Sequence, residues 1–272
     1  MPTQLKALIT ANEQVGPGLF EMEFAAPAMT EACQAGQFLH IKVGSIYEPL
    51  LRRPISIYDI NQNSGRIKLL YKVAGKGTKA ICALQASDTI DIIGPLGKGF
   101  TIPAKTSRVV LAGGGIGVAP LLYLARVLLN NGSKAVVYYG ADDKLQLAAL
   151  NRFMEMGLEI KTATRDGSQG YHGLITDCIK ETLVPSNTDF IYTCGPEIMM
   201  AQVADYAQKH SISGEASLEE YMACGVGACL GCARKLKSSD ENYVKICKDG
   251  PVFSFNGLEF PFQTLTNVEG RD

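Results

Sequence analysis

From residue 1 to about residue 103, apolar and polar positions alternate in short runs bounded by Gly, Pro, Asn and Asp. GLFEMEF, QFLHIKV, PISIYDI, RIKLLYKV and TIDIIG are the clearest of them. A period of two places every second side chain on one face, so these runs are read as strands with one buried side. One helix is expected among them, at GTKAICAL. Many short strands separated by turn residues predict an antiparallel β-barrel or a sandwich.

The pattern changes between residue 108 and about residue 210. RVVLAG, KAVVYYG, LEIKTAT and DFIYTCG are continuous apolar runs, as in strands covered on both faces of a parallel sheet, and helical segments lie between them. After Gly117, apolar residues fall at Val118, Leu121, Leu122, Ala125, Leu128 and Leu129, one face of a helix. Strands alternating with helices predict a doubly wound α/β domain, and TIPAKTS reads as the link from the barrel. From residue 215 the chain is short and glycine-rich, so a large core of its own is not expected there. The predicted divisions are 1–103, 104–214 and 215–272.

Charge excludes some partners. Lys and Arg number 26 against 27 Asp and Glu, so the chain has no basic footprint for nucleic acid or an anionic membrane. The start, MPTQLKALITANEQ, lacks the basic-then-apolar layout of a signal peptide. The uncharged stretch at 109–125 holds four glycines and Pro120 and falls short of the ~20 residues of a membrane span. A cytoplasmic protein is expected. Eight cysteines without a secretion signal then point to metal or redox chemistry, because the cytosol keeps thiols reduced.

Cys224, Cys229 and Cys232 give C-x4-C-x2-C, with Cys247 further on. Four thiolates at that spacing match the plant-type [2Fe-2S] pattern, and Gly225, Gly227 and Gly231 allow the tight turns that bring N–H groups to sulfur. A closed zinc site is the other chemistry four cysteines serve, although zinc ribbons pair their ligands as two knuckles and here three sit in one loop.

LAGGGIGVAPLL runs from a strand into a helix, so Gly113, Gly114, Gly115 and Gly117 can face a pyrophosphate. Ala119 and Pro120 stand where G-x-G-x-x-G would have its third glycine, and a ligand-free turn is the alternative. Cys194, Gly195 and Pro196 sit at the next strand end, where open α/β sheets bind ligands; a core cysteine is the plain alternative. Arg53 precedes Ser56 by three residues in LRRPISIYDI, and GKGT places Gly77 and Thr78 at a helix start. Both can serve phosphate, although an isolated R-P-x-S is as well explained by a surface arginine. His40, His172 and His210 lie in no nucleophile or metal motif and are expected on the surface or in loops. No catalytic residue is assigned.

R-P-x-S in a β domain, G-G-G-x-G-x-x-P and C-G-P in an α/β domain, and a four-cysteine tail together resemble the ferredoxin–NADP reductase superfamily. Within it, SLEEYMACGVGACLGCA and ICKDGPVF resemble the electron transfer subunits of type B dihydroorotate dehydrogenases. The resemblance implies a flavin-binding barrel, an NAD-binding α/β domain and a small C-terminal [2Fe-2S] domain. It implies FAD lined by Arg53, Pro54, Ile55 and Ser56, with Arg53 on the pyrophosphate and Ser56 near the isoalloxazine. Leu70, Tyr71, Lys72, Gly77 and Thr78 would complete that site. NAD(H), as substrate, would lie on Gly113, Gly114, Gly115 and Gly117 with Cys194, Gly195 and Pro196 near the nicotinamide. Cys224, Cys229, Cys232 and Cys247 would hold the cluster.

Nicotinamide exchanges a hydride, iron–sulfur moves one electron and a flavin does both, so FAD is the expected junction. The implied partner is an FMN-containing dihydroorotate dehydrogenase catalytic subunit, two of each chain forming a heterotetramer in pyrimidine (UMP) biosynthesis. One departure is Tyr221, where the family usually has arginine in "EER". The alternatives are the small subunit of an NADH-dependent ferredoxin:NADP oxidoreductase or of a sulfide dehydrogenase, and a zinc-stabilised nucleotide-binding module that transfers no electrons. Asp142 and Asp143 after VVYYG favour a ribose hydroxyl over a phosphate, hence NAD, or else are helix-start carboxylates.

Overall fold

The computed structural model describes residues 2–43, 49–104, 106–235, 243–258 and 260. Six strands and two short helices make the first unit: β1 (Thr3–Gly16), β2 (Leu19–Ala25), α1 (Pro27–Thr30), β3 (Phe38–Ile41), β4 (Arg53–Asn61), β5 (Arg66–Lys72), α2 (Lys76–Cys82) and β6 (Thr89–Leu96). They form a closed barrel in the order β1-β2-β5-β4-β3-β6. The strand that closes it, β1, lies outside the five runs read from alternation. Few of its side chains are buried, Ala7 and Ile9 among them, so its period is faint. Its first half pairs with β6 and its second with β2, and register shifts after Ile9 and Gln14 turn it between the two. Met22, Phe24, Leu39, Ile57, Leu69 and Ile92 fill the interior.

The second unit comprises β7 (Arg108–Gly114), α3 (Ala119–Asn130), β8 (Lys134–Ala141), α4 (Leu150–Glu155), β9 (Glu159–Thr164), β10 (Tyr171–His172), α5 (Ile175–Thr182), β11 (Phe190–Cys194), α6 (Glu197–Lys209) and β12 (Ser213–Ser217). The last segment adds β13 (Ala233–Lys235), β14 (Tyr243–Lys245), α7 (Ile246–Asp249) and β15 (Val252–Ser254). The large sheet runs β10-β9-β8-β7-β11-β12-β15. All of its pairs are parallel except β12 with β15. Strand order reverses between β7 and β11, the switch point at which such sheets open a crevice.

Helix α3 is buried more widely than its predicted face. Tyr123 and Leu124 are covered as well as Leu121, Leu122 and Ala125. The cause is a second neighbour: α3 packs on its own sheet and also on β4 of the barrel. In the link between the units, of which residue 105 lies outside the described residues, Thr101 donates from its N and Oγ1 to the Glu215 carboxylate, at 2.9 and 2.6 Å. The C-terminal segment, expected to lack a large core, shares that of the sheet. Ile246, Phe255, Leu258 and Phe260 bury beside Val110, Ile191 and Ala216.

The expectation for the histidines holds for exposed His172 and His210 and fails for His40, which is wholly buried on β3. Strands β4 and β6 flank it, and the cysteine loop covers it. Among the described residues no helix is long and apolar enough to cross a membrane.

Candidate functional site

Strands β7 and β11 run side by side to the same edge, Gly113 opposite Cys194. The chain leaves each through glycine because the two turns touch. An added Cβ on Gly117 would lie 2.6 Å from Gly195 N, and one on Gly195 would lie 2.9 Å from Gly114 N. Gly195 has φ +150°, and Gly115, at φ +54°, has nothing within 4 Å of where its Cβ would stand. Backbone at Gly115 therefore opens into free space, a cleft of about 670 Å³.

One wall of the cleft is formed by residues 114–117 and 195–200, the other by residues 140–142 and 173–176. Leu19 and Lys72 reach it from the barrel, and Leu218, Glu219 and Arg234 from the C-terminal segment. Three glycines of the first turn and Gly195 and Pro196 of the second are thus brought together. Gly113 lies beneath, packed on Val118, and Cys194 is buried with its thiol pushed above its ordinary range by burial and by the charge of Glu219. Of the two acids after β8, only Asp142 lines the cleft, 3.4 Å from Arg165. Asp143 caps the following turn, accepting from Leu145 N at 2.7 Å.

Sequence reasoning missed four cleft residues. Glu219 has its carboxyl pKa raised by burial. Thr176 is buried, and its hydroxyl has no partner among the described residues. Arg165 and Arg234 complete the set; Arg234 pairs with Glu197 in the first turn of α6 and, at 3.4 Å, with Glu220. None lies in a glycine turn, and only the polar character of their neighbourhood could have suggested them. Tyr221 is 92% exposed and takes no part.

On the barrel, Arg53 opens β4 and donates to Leu51 O at 2.6 Å. Gly77 in the first turn of α2 lies against its guanidinium; any Cβ there would collide with it. A side chain at this position would have to displace the Arg53 guanidinium. Thr78 is engaged in the turn, its hydroxyl accepting from Ala74 N and Gly75 N at 2.8 and 3.1 Å. Pro54 and Ser56 are half-buried, and Ile55 between them is buried. The triplet at 70–72 divides: Tyr71 bonds Asn12 at 2.8 Å and Leu70 is buried, whereas Lys72 reaches the cleft.

Four backbone N–H groups point at the cysteine sulfurs. Gly227 N donates to Cys247 Sγ at 3.1 Å, Ala228 N to Cys224 Sγ at 3.3 Å, Gly231 N to Cys229 Sγ at 3.4 Å and Cys247 N to Cys232 Sγ at 3.4 Å. Gly225 and Gly227 have φ +71° and +83°, which turns the loop inward. Cys224 and Cys229 lie on the exposed side of the loop, Cys232 and Cys247 on its buried side. Among the described residues no three His, Cys, Asp or Glu side chains are grouped to hold one metal ion. Burial works against ionisation of Cys224, but hydrogen bonds from Val226, Cys229 and Ala228 draw it down to about 6. Burial, with the neighbouring Cys232, pushes Cys247 up to about 12.

His40 lies directly beneath this loop. A Cβ on Gly225 would stand 2.5 Å from His40 Nδ1. Burial, then the charge of Arg52, lowers the imidazole pKa to about 4, so the ring is neutral.

Three domain families match the chain in succession: the oxidoreductase FAD-binding domain at 6–100, the oxidoreductase NAD-binding domain at 111–205, and the iron-sulfur cluster binding domain of dihydroorotate dehydrogenase B at 219–259. The dihydroorotate dehydrogenase B (NAD(+)) electron transfer subunit of Desulforamulus reducens is 40% identical over 248 residues, covering 91% of this chain and 95% of that protein. Its counterpart in Bacillus caldolyticus is 38% identical over 247 residues, 90% and 94% of the two chains. Among solved structures, an NADH-dependent reduced ferredoxin-NADP oxidoreductase superposes with TM-score 0.83 at 27% identity, over 93% of this chain and 90% of that one.

Proposed function

The chain belongs to the family of dihydroorotate dehydrogenase B electron transfer subunits, and from that membership we propose that it carries electrons from the FMN of a catalytic partner to NAD⁺. It is a flavin and iron–sulfur oxidoreductase subunit with FAD-, NAD- and cluster-binding domains. Dihydroorotate is oxidised on the partner in the cytoplasm; its electrons leave on NAD⁺, and the oxidised product feeds UMP biosynthesis. The assembly has two of each chain.

The observation that carries this reading is the arrangement of the four thiols. Each sulfur has a backbone N–H directed at it, and among the described residues no three ligating side chains gather about one point, which fits a two-metal centre better than a single tetrahedral ion. Cys224 and Cys229 would hold one iron, and Cys232 and Cys247 the other.

When bound, FAD supplies the exchange between hydride and single electrons that neither nicotinamide nor cluster performs. Arg53 would hold its pyrophosphate, with Gly77 giving the room, and Pro54, Ile55, Ser56, Leu70, Tyr71, Lys72 and Thr78 would line the rest. Gly114, Gly115 and Gly117 would present backbone to the NAD pyrophosphate, with Gly113 supporting the turn from beneath. Gly195 and Pro196 would border the nicotinamide end with Cys194 buried behind them, and Asp142 would favour a ribose hydroxyl. The chain binds, orients and excludes water; proton abstraction from dihydroorotate falls to the partner.

Identity of 40% to the dihydroorotate family against 27% to the ferredoxin-NADP oxidoreductase favours the first over its rival. Anaerobic purification with associated chains tests the proposal. A brown-yellow complex with an FMN subunit, flavin absorption and an EPR signal on reduction is expected. A colourless protein with chelatable zinc overturns it.

A further inference from the structure

His40 joins the two halves of the proposed relay. On β3 it pairs across to Pro54 of β4, in the stretch that starts at Arg53. On its other side the ring lies against Gly225, next to Cys224. Neither ring nitrogen has a hydrogen-bond partner among the described residues. A wholly buried imidazole with neither nitrogen partnered is costly, because each ring nitrogen gives up its hydrogen bonds to water, so its retention calls for a reason. Phe38, Leu39 and Ile41 beside it on β3 are buried and apolar, so His40 is the strand's one polar side chain.

We propose that His40 is a positioning residue that holds the turn at Cys224 and Gly225 against the flavin-side strand, and so fixes the separation across which single electrons pass between FAD and the cluster. This rests on the reading given above. In each transfer one electron leaves the reduced flavin and one arrives at the cluster. No bond forms or breaks at His40, and the ring stays neutral. Its ring N–H is a polar side-chain group at the seam, placed to latch the loop to β3.

The test uses the FAD- and cluster-loaded protein with its partner, as wild type, His40→Ala and His40→Gln. Each is mixed anaerobically with NADH; flavin bleaching is followed by absorbance and cluster reduction by freeze-quenched EPR. Hydrogen exchange over residues 223–229 of the oxidised protein is measured separately. In His40→Ala the flavin is expected to bleach at the wild-type rate, while the cluster is reduced roughly tenfold or more slowly and the loop amides exchange faster. His40→Gln, which keeps an N–H at that depth, is expected to restore both. Loss of the cluster in His40→Ala with its retention in His40→Gln supports the same role. Cluster reduction and exchange at wild-type rates in His40→Ala overturn it, as does a His40→Gln protein no better than His40→Ala. Absence of flavin bleaching or of an EPR signal in the wild type sinks the relay itself, and this inference with it.

Discussion

Arg126 of α3 and Asp59 of β4 form a two-pronged ion pair, Nε to Oδ1 at 2.9 Å and Nη2 to Oδ2 at 2.7 Å. It ties the α/β unit to the barrel beside the apolar face that α3 presents to β4. The bidentate geometry is favourable, but Arg126 is about half exposed. Replacing Arg126 with Gln should cost about 1 kcal/mol and lower the melting temperature by roughly 2–4 °C. Differential scanning calorimetry checks it, and a drop that persists unchanged in 1 M salt would argue against an ionic origin.

Gly117→Ala should block the nucleotide cleft. The new Cβ would lie 2.6 Å from Gly195 N and 2.8 Å from Cys194 C, both backbone atoms that cannot swing aside. The turns must part, and NADH affinity is expected to fall by about tenfold or more while flavin and cluster spectra persist. Fluorescence titration with NADH measures it.

Cys229→Ser separates the two half-reactions. Cys229 is the most exposed of the four cysteines, so its loss should leave the fold intact. Reduction of FAD by NADH should survive, whereas electron exchange with the catalytic partner should stop. Equal loss of both, with native circular dichroism, would contradict the assignment of Cys229.

Acid stability should depend in part on Glu23. Burial acts to raise its pKa, but hydrogen bonds from Thr10 and Arg66 and the charges of Lys68 and Arg66 prevail and hold it below the usual 4.5. A carboxylate whose folded pKa is depressed contributes stability that is fully present above the unfolded value and lost as pH falls through the folded one. Wild type should therefore unfold at a higher temperature than Glu23→Gln at pH 7, and the gap should close below about pH 4.5. A gap that is constant from pH 7 to pH 3 would mean the ionised carboxylate is not its source.

Asp142→Ala should weaken NADH binding and narrow the preference over NADPH, because it removes the carboxylate at the cleft and releases Arg165. The corresponding change at Asp143 should instead loosen the turn at Leu145 with little effect on nucleotide choice. Michaelis constants for both nucleotides in the two variants decide between them.

The sequence by itself determined the elements and the chemistry of the tail. Alternation with period two reflects which face of a strand is buried and made five barrel strands legible, while continuous apolar runs, buried on both faces, marked four sheet strands. Cysteine and glycine spacing is likewise local, since the loop must fold back on itself over a few residues. What covers a buried face is not local, and that was decided by tertiary structure. The polar-looking β1 closes the barrel because two distant strands offer it edges. Helix α3 is buried on a second face because β4 meets it, and the last segment finds its core on β12. Arg234 and Glu219 reach a cleft whose glycine turns lie earlier in the chain, and His40 is wholly buried because a loop from the C-terminal segment descends onto it. Residues far apart in the chain carry no shared period, so only the packed molecule could bring them together.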